Sequence, residues 1–238
     1  MKLHLLGVNG PFPESSGATS GYLLEIGDHL YQLDCGSGIL GRLTSLVAPE
    51  SLSALFISHW HFDHVADLSV LMYRLEACRL MLPVYGPADP SSFFCRMVCS
   101  SSCFRFMEVS PGQVFTVGAS VVQVFSARHP VPSVGYRFAA EGRSMCYTGD
   151  TNTLPSLADD CRGCSLLLAD GLFPRSLWTD SKPHLSAEHA AHLALESGAE
   201  KLIVTHLNPL FPRSVLLEEA RRIFPGAQLA EAGTVIEV

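Results

Sequence analysis

No apolar run in this chain of 238 residues approaches the roughly 20 that a helix needs to cross a bilayer, so nothing reads as a membrane span. Residues 1–8 alternate like a strand. Their apolar part is too short for a signal peptide and no small-residue cleavage site follows, so a cytoplasmic protein is expected. Positive charge is scarce: 16 Lys and Arg stand against 23 Asp and Glu, for a net charge of −7 and a pI near 5.8. A protein that grips long nucleic acid through its phosphates needs the opposite balance, so long nucleic acid is not an expected partner. A small anionic substrate remains compatible, because a metal centre and a few local cations overcome an unfavourable average field. No linker and no internal repeat divides the chain, and its length is ample for one core. Residues 1–238 are therefore expected to form a single domain. The eight cysteines have no secretory context to pair them, and Cys161-Arg162-Gly163-Cys164 has no second CxxC to complete a zinc motif. Cys95, Cys99 and Cys103 would share a helix face if a helix persisted that far. For both groups free thiols are the expectation, ahead of a second zinc site or a redox switch.

What the chain has in excess is histidine in one place. Ser58-His59-Trp60-His61-Phe62-Asp63-His64 puts three of the 10 histidines and an aspartate into six consecutive positions. An apolar, strand-like run at 52–57 precedes it, and a helically spaced run at 65–80 follows. The ligand-type residues would then lie on a loop leaving a strand, with His64 near a helix start. Neutral imidazoles with a carboxylate form a ligand set for zinc, manganese or iron(II) at a hydrolytic site.

Elsewhere strand patterns cover 2–8, 21–26, 29–34, 82–85, 104–109, 114–117, 121–125, 134–139, 143–147, 165–169, 201–205, 228–231 and 234–238. Gly27-Asp28 and Glu141-Gly142 read as hairpin turns. Helical patterns cover 39–47, 65–80, 89–98, 186–197 and 215–223, with Ser186 a candidate N-cap. Strands come in two groups, each followed by helices. This suits a four-layer αββα sandwich, two sheets face to face with helices outside.

His-x-His-x-Asp-His after an apolar strand resembles the signature of the metallo-β-lactamase fold. Other segments extend the resemblance over nearly the whole chain, toward the branch holding ribonuclease Z and related phosphodiesterases. Leu33-Asp34-Cys35-Gly36 is similar to the family's early Asp-x-Gly element, whose Asp lies under the metal site and would orient a ligand imidazole. The alternative is a cap on the helix at 39–47. Asp67 is likewise either an orienting group or a first-turn carboxylate. His129 stands in Arg128-His129-Pro130-Val131-Pro132-Ser133-Val134-Gly135-Tyr136-Arg137, which is similar to ribonuclease Z and unlike the Gly-His-Thr-Pro-Gly surround of lactonases and glyoxalase II. Thr148-Gly149-Asp150-Thr151 resembles the family's bridging-carboxylate segment, Thr205-His206-Leu207 its last ligand, and His184-Leu185-Ser186 the segment whose His touches phosphate. His189 and His192 read as ordinary helix positions.

The resemblance implies an α/β (α+β) chain of the metallo-β-lactamase type with two divalent cations, Zn2+ first and Mn2+ or Fe2+ as alternatives. It implies His59, His61 and His129 on one cation, Asp63, His64 and His206 on the other, and Asp150 between them. Seven protein ligands exceed the needs of one tetrahedral zinc. Two cations on the order of 4 Å apart hold one hydroxide between them and clamp a phosphoryl oxygen. Asp63 is also a catalytic candidate, as acceptor of the water's proton. His184 is the catalytic candidate for charge stabilisation and leaving-group protonation. Arg128 and Arg137 flank His129 and read as surface arginines, with phosphate pairing as the alternative. The implied function is a metal-dependent hydrolase, foremost a phosphodiesterase on a small or short phosphodiester. Two alternatives stand behind it: a hydrolase of esters, lactones or β-lactams, and a non-enzymatic metal-bound ligand sensor or scaffold. No membrane partner is implied, and homodimerisation is left open. Ribonuclease Z grips tRNA with a flexible arm, typically between the third imidazole and the bridging Asp. Here one hairpin joins His129 to Asp150, which leaves no room for an arm.

Overall fold

The computed structural model describes all 238 residues. Fourteen strands divide evenly between two sheets. The first half of the chain supplies β1 (Lys2–Gly7), β2 (Gly21–Ile26), β3 (His29–Leu33), β4 (Ala54–Phe56), β5 (Leu82–Gly86) and β6 (Phe104–Glu108). The second supplies β7 (Val114–Val117), β8 (Ser120–Ser126), β9 (Val134–Ala140), β10 (Arg143–Tyr147), β11 (Leu166–Asp170), β12 (Leu202–Thr205), β13 (Gln228–Leu229) and β14 (Val235–Glu237). The sheet orders are β14-β1-β2-β3-β4-β5-β6 and β13-β12-β11-β10-β9-β8-β7. The C-terminal β14 thus returns to the first sheet.

Helices cover the outer faces. They are α1 (Ile39–Thr44), α2 (Phe62–Val65), α3 (Leu68–Cys78), α4 (Phe93–Ser100), α5 (Leu157–Asp160), α6 (Ala187–Ser197) and α7 (Arg213–Ile223). Three apolar layers fill the gaps. Tyr22, Tyr31 and Phe56 from the first sheet meet Tyr136, Phe138 and Leu168 from the second. Leu55 and Leu23 on the outer face meet Ile39, Leu71 and Leu75 of the helices. Leu167 and Cys146 of the second sheet meet Ala190, Ala194 and Leu216. The fold is the expected αββα sandwich of the metallo-β-lactamase type, because each sheet buries both faces and needs a partner on each.

Strand direction positions the site. β3 to β6 run parallel, and so do β10 to β12. β8 is antiparallel to β9 and β9 to β10, so β8 points the same way as β10. The C-terminal ends of β8, β10, β11 and β12 therefore open onto one rim, where loops leave toward residues 129, 150, 170 and 206. Asp34 at the end of β3 accepts a 2.6 Å hydrogen bond from Tyr147 at the end of β10, which brings the two rims together.

Several boundaries differ from the sequence pattern; the helix expected at 39–47, for one, ends at Thr44. The helix expected at 65–80 is two, α2 and α3, broken at Ala66-Asp67. The one expected at 89–98 begins at Phe93. Ser92 Oγ accepts the Cys95 N–H, and Asp89 Oδ1 accepts the Ser91 and Ser92 N–H groups, so Asp89 builds the turn before the helix. The short α5 escaped the pattern because a single turn carries too few apolar positions to show a period. Since α4 ends at Ser100, Cys103 lies beyond it and does not continue the face of Cys95 and Cys99.

Candidate metal centre

Four loop segments converge on the rim. His59, His61, Asp63 and His64 follow β4 and enter α2, whose first turn makes Asp63 and His64 neighbours. His129 follows β8, Asp150 follows β10, and His206 follows β12. Their ligand atoms form two groups. One atom each from His59, His61 and His129 lie within 4.8 Å of one another, and so do atoms from Asp63, His64, Asp150 and His206. Asp150 Oδ2 stands 3.3 Å from His64 Nε2 and 3.6 Å from His59 Nε2, while Oδ1 stands 3.3 Å from His206 Nδ1. One carboxylate thus lies between the two groups.

The polar atoms fit a cation better than they fit each other. His61 Nδ1 lies 3.0 Å from both His59 Nε2 and His129 Nε2. His129 Nδ1 donates to the Pro183 carbonyl at 3.0 Å, which leaves its Nε2 as a lone pair aimed at His61. His64 Nδ1 donates to Asp34 Oδ2 at 2.8 Å, and its buried Nε2 forms no hydrogen bond, although Asp150 Oδ2 lies 3.3 Å away. His206 Nε2 is buried and forms none either. Buried imidazole nitrogens are rarely left orphaned without a reason, and facing lone pairs repel unless an ion lies between them. These residues fit divalent metal.

Except at His64, the electrostatics of the imidazoles agree with ligand duty, which needs the neutral ring. Burial holds His59, His61 and His206 below the usual imidazole range and brings His129 down to about 4. Burial works against ionisation of Asp150, but His206, His64, His184 and His59 outweigh it and keep the carboxylate well below its usual range. Burial also disfavours a charged His64, and there Asp150, Asp63 and Asp34 prevail and raise it. Burial lifts Asp63 to about 6.

Beneath the ligands the Asp34 carboxylate is fully engaged. Oδ1 accepts the Ser58 N–H (2.8 Å), and Oδ2 accepts Ser58 Oγ (2.8 Å), Tyr147 OH (2.6 Å) and His64 Nδ1 (2.8 Å). It orients the His64 imidazole and does not cap α1. That task falls to Asp67, whose Oδ2 accepts the Leu40 N–H at 2.8 Å. Asp34 and His206 both take left-handed backbone conformations, with φ of +50° and +57°. Such conformations cost roughly 1 kcal/mol or more in a non-glycine residue, so packing must hold them. At His206 the packing includes Gly10, where a Cβ would fall 2.1 Å from His206 Nε2.

His184 is in neither of the two groups but forms a third with His129 and Asp150, whose ligand-type atoms also lie within 4.8 Å of one another. Its Nδ1 is 2.9 Å from Asp170 Oδ2 and 3.8 Å from Asp150 Oδ2, and its ring stacks on His206 at 5.0 Å. Burial opposes a charge on His184, yet Asp170 and Asp150 lift it to about 9. Asp170 also accepts the Thr151 and Leu172 N–H groups. Sequence reading gave Asp170 no role, although it ends a fully buried strand, as Asp150 follows one and Asp34 ends another. Ser58 and Tyr147 were missed too, and only their proximity to Asp34 reveals them.

Arg128 and Arg137 are committed elsewhere. Arg128 forks onto Asp180 (2.7 and 3.1 Å). Arg137 donates to the Arg162 carbonyl and to Ser144 Oγ. His189 accepts nothing from the site; its ring packs 3.9 Å from Trp178 and its Nδ1 meets Ser186 Oγ, the N-cap of α6.

Comparison with known proteins identifies the family and the fold. Residues 30–207 match the model of the β-lactamase superfamily domain. The chain is 30% identical to the probable metallo-hydrolase YhfI of Bacillus subtilis over the full length of both. The YhfI crystal structure superposes with a TM-score of 0.94, covering 99% of this chain and 98% of that one. Ribonuclease Z of Methanosarcina mazei is 24% identical over an alignment of 302 residues that takes in all of this chain and 98% of the relative. The short form of human tRNase Z shares the fold, with a TM-score of 0.82, 20% identity and coverage of 100% and 99%. The chain belongs to the β-lactamase superfamily, in the metallo-β-lactamase fold that YhfI shares.

Proposed function

We propose that this protein is a dinuclear metal-dependent phosphodiesterase acting on small or short phosphodiesters, with His59, His61, His129, Asp63, His64 and His206 as ligands and Asp150 shared. Bound there, divalent cations such as Zn2+ supply Lewis-acid activation of water and charge neutralisation at a phosphoryl oxygen. The carrying observation is the pair His184–Asp170 at 2.9 Å, set against Asp150, with Asp170 occupying the imidazole Nδ1. Asp170 fixes the imidazole through Nδ1, so Nε2 is the atom presented to a substrate. A proton donor held there serves a poor alkoxide leaving group, such as the diesters of ordinary alcohols have. Asp63, with a side chain that keeps 11% of its exposure, is the acceptor for the attacking water's proton. Asp34 and the Pro183 carbonyl hold His64 and His129 in the tautomers that ligation requires.

The preference for small diesters rests on shape and charge. β9 and β10 meet in a tight turn at Glu141-Gly142, so no arm rises between His129 and Asp150. The ribonuclease Z alignment spans 302 residues against 238 here, which leaves the relative with extra length that this chain lacks. The net charge of −7 gives no long-range pull on a polyanion.

The test is a substrate panel on metal-loaded protein in its native assembly: bis(p-nitrophenyl) phosphate, a lactone, nitrocefin and a precursor tRNA. Turnover of the diester above the other three is expected. Faster lactone or nitrocefin hydrolysis would move the protein to the ester or lactam class. Efficient cleavage of the tRNA 3′ trailer over small diesters would overturn the size preference, and no turnover of any kind would favour a ligand sensor.

A further inference from the structure

The chain has only three lysines. Lys201 donates to the Glu237 carbonyl, and Lys2 opens β1 away from the strand ends that carry the ligands. The third, Lys182, is exposed two residues before His184. Its ammonium has no carboxylate within 4.0 Å and no hydrogen-bond partner, only the Phe173 ring at 5.2 Å from the centroid. Every arginine around the rim is already occupied. Arg128 holds Asp180, Arg137 holds backbone and Ser144, Arg175 holds Glu188, and Arg213 holds Glu14. In a protein of net charge −7, an unpaired cation beside the candidate centre stands out from its own surroundings.

Its backbone is not free to wander. The Lys182 carbonyl accepts Asn152 Nδ2 at 2.5 Å, its N–H donates to Thr179, and the next carbonyl, Pro183, takes His129 Nδ1. Phe173 is held equally well. Its N–H donates to the Leu185 carbonyl, its own carbonyl accepts the Ala187 N–H, and its ring meets that of His184 at 6.0 Å. The ammonium therefore sits one aromatic ring away from His184, on a fixed stem, with a weak cation–π contact as its only restraint. A strongly hydrated point charge on a flexible tip suits a phosphate or carboxylate that arrives with the substrate.

We propose that Lys182 is a specificity-determining cation that grips a second anionic group of the substrate, next to the diester held at the metal centre. This selects diesters that carry a further phosphate or carboxylate over diesters with a single charge. The inference rests on the phosphodiesterase reading for its substrate class, but its binding test does not need turnover.

Two probes separate the charges: thymidine 5′-(p-nitrophenyl phosphate), and the same compound with a 3′-phosphate. In the Lys182→Gln variant of the metal-loaded protein, KM for the 3′-phosphorylated probe should rise on the order of tenfold, with kcat within about twofold. The singly charged probe should be unaffected. Lys182→Glu should widen the gap and Lys182→Arg should restore most of the preference. A binding arm measures Kd of adenosine 3′,5′-bisphosphate and of adenosine 5′-monophosphate by calorimetry. Lys182→Gln should weaken only the bisphosphate. Equal losses for both probes, or a fall in kcat for both, would mean that Lys182 merely supports Phe173 and His184, and would overturn the proposal. So would no change for either. If neither probe is hydrolysed, the phosphodiesterase reading fails while the two Kd values still decide the role of Lys182.

Discussion

The basin at the strand ends and the thiol cluster behind β10 are both lined with ligand-type atoms and both buried, yet they are built in opposite ways. In the basin, imidazole nitrogens face one another at 3.0 Å, two more form no hydrogen bond, and a carboxylate lies between them. Around Cys146, Cys161 and Cys164 there is no imidazole and no carboxylate. The thiols lie side by side inside an apolar layer with Leu157, Leu167 and Ala194. The neighbouring Cys161 side chain and burial hold the Cys146 thiol well above its usual range. The neighbouring Cys146 side chain and burial do the same to Cys164. The thiolate is the form that binds metal or reacts, so these thiols are core. A density of ligand-type residues does not make a site; unsatisfied lone pairs turned toward one point do.

The sharpest way to break this contrast is to remove the shared carboxylate. Asp150→Ala should deplete metal from both groups and lower diester hydrolysis by at least ~10³-fold, read by elemental analysis alongside turnover. Loss of a single equivalent would show that Asp150 does not sit between two cations. Next in size is His184→Ala, expected to cost about 10²–10⁴-fold with a poor alkoxide leaving group while metal content is retained. Near-normal turnover of such a substrate would remove His184 from the chemistry. A p-nitrophenolate leaving group should show a much smaller loss, because it needs little protonation.

Smaller still, Asp34→Asn should weaken metal binding by about 10–100-fold, since an amide is a poorer acceptor for His64 Nδ1. Competition with a chelator of known affinity measures it, and unchanged affinity would make the Asp34 network purely structural. The smallest effect belongs to the thiols. Native protein treated with iodoacetamide at pH 8 should label Cys78 and Cys99, the two exposed cysteines, and spare the six buried ones until unfolding. Cys78 should lag, because its bond to Glu50 raises the thiol. Cys161→Ser should leave metal content unaltered; a drop in bound zinc would make the cluster a metal site after all.

The legible part of the molecule has a common physical form. Ligand-type residues stand just beyond short apolar strands, at 59–64, 129, 150 and 206, where a polar side chain has no reason to follow a buried run unless it is used. Strand patterns were equally plain, because buried strands repeat over enough residues to show a period. The break at Ala66-Asp67 was not, since the apolar spacing continues across it and only the bond from Leu40 N–H to Asp67 shows why the chain turns there. Asp170 and Tyr147 each look like ordinary strand ends, and the groups that give them meaning are 14 and 113 residues away.

By itself the sequence determined the layer order, the strand-end placement of the ligand-type residues and the family they resemble, because those follow from local period and short-range spacing. Tertiary structure alone decided which aspartate orients His64 and which caps α1, which arginines are already paired, and that Lys182 is not. These are questions of which groups meet across loops, and pairing over that range is set by how the sheets pack, which no local pattern records.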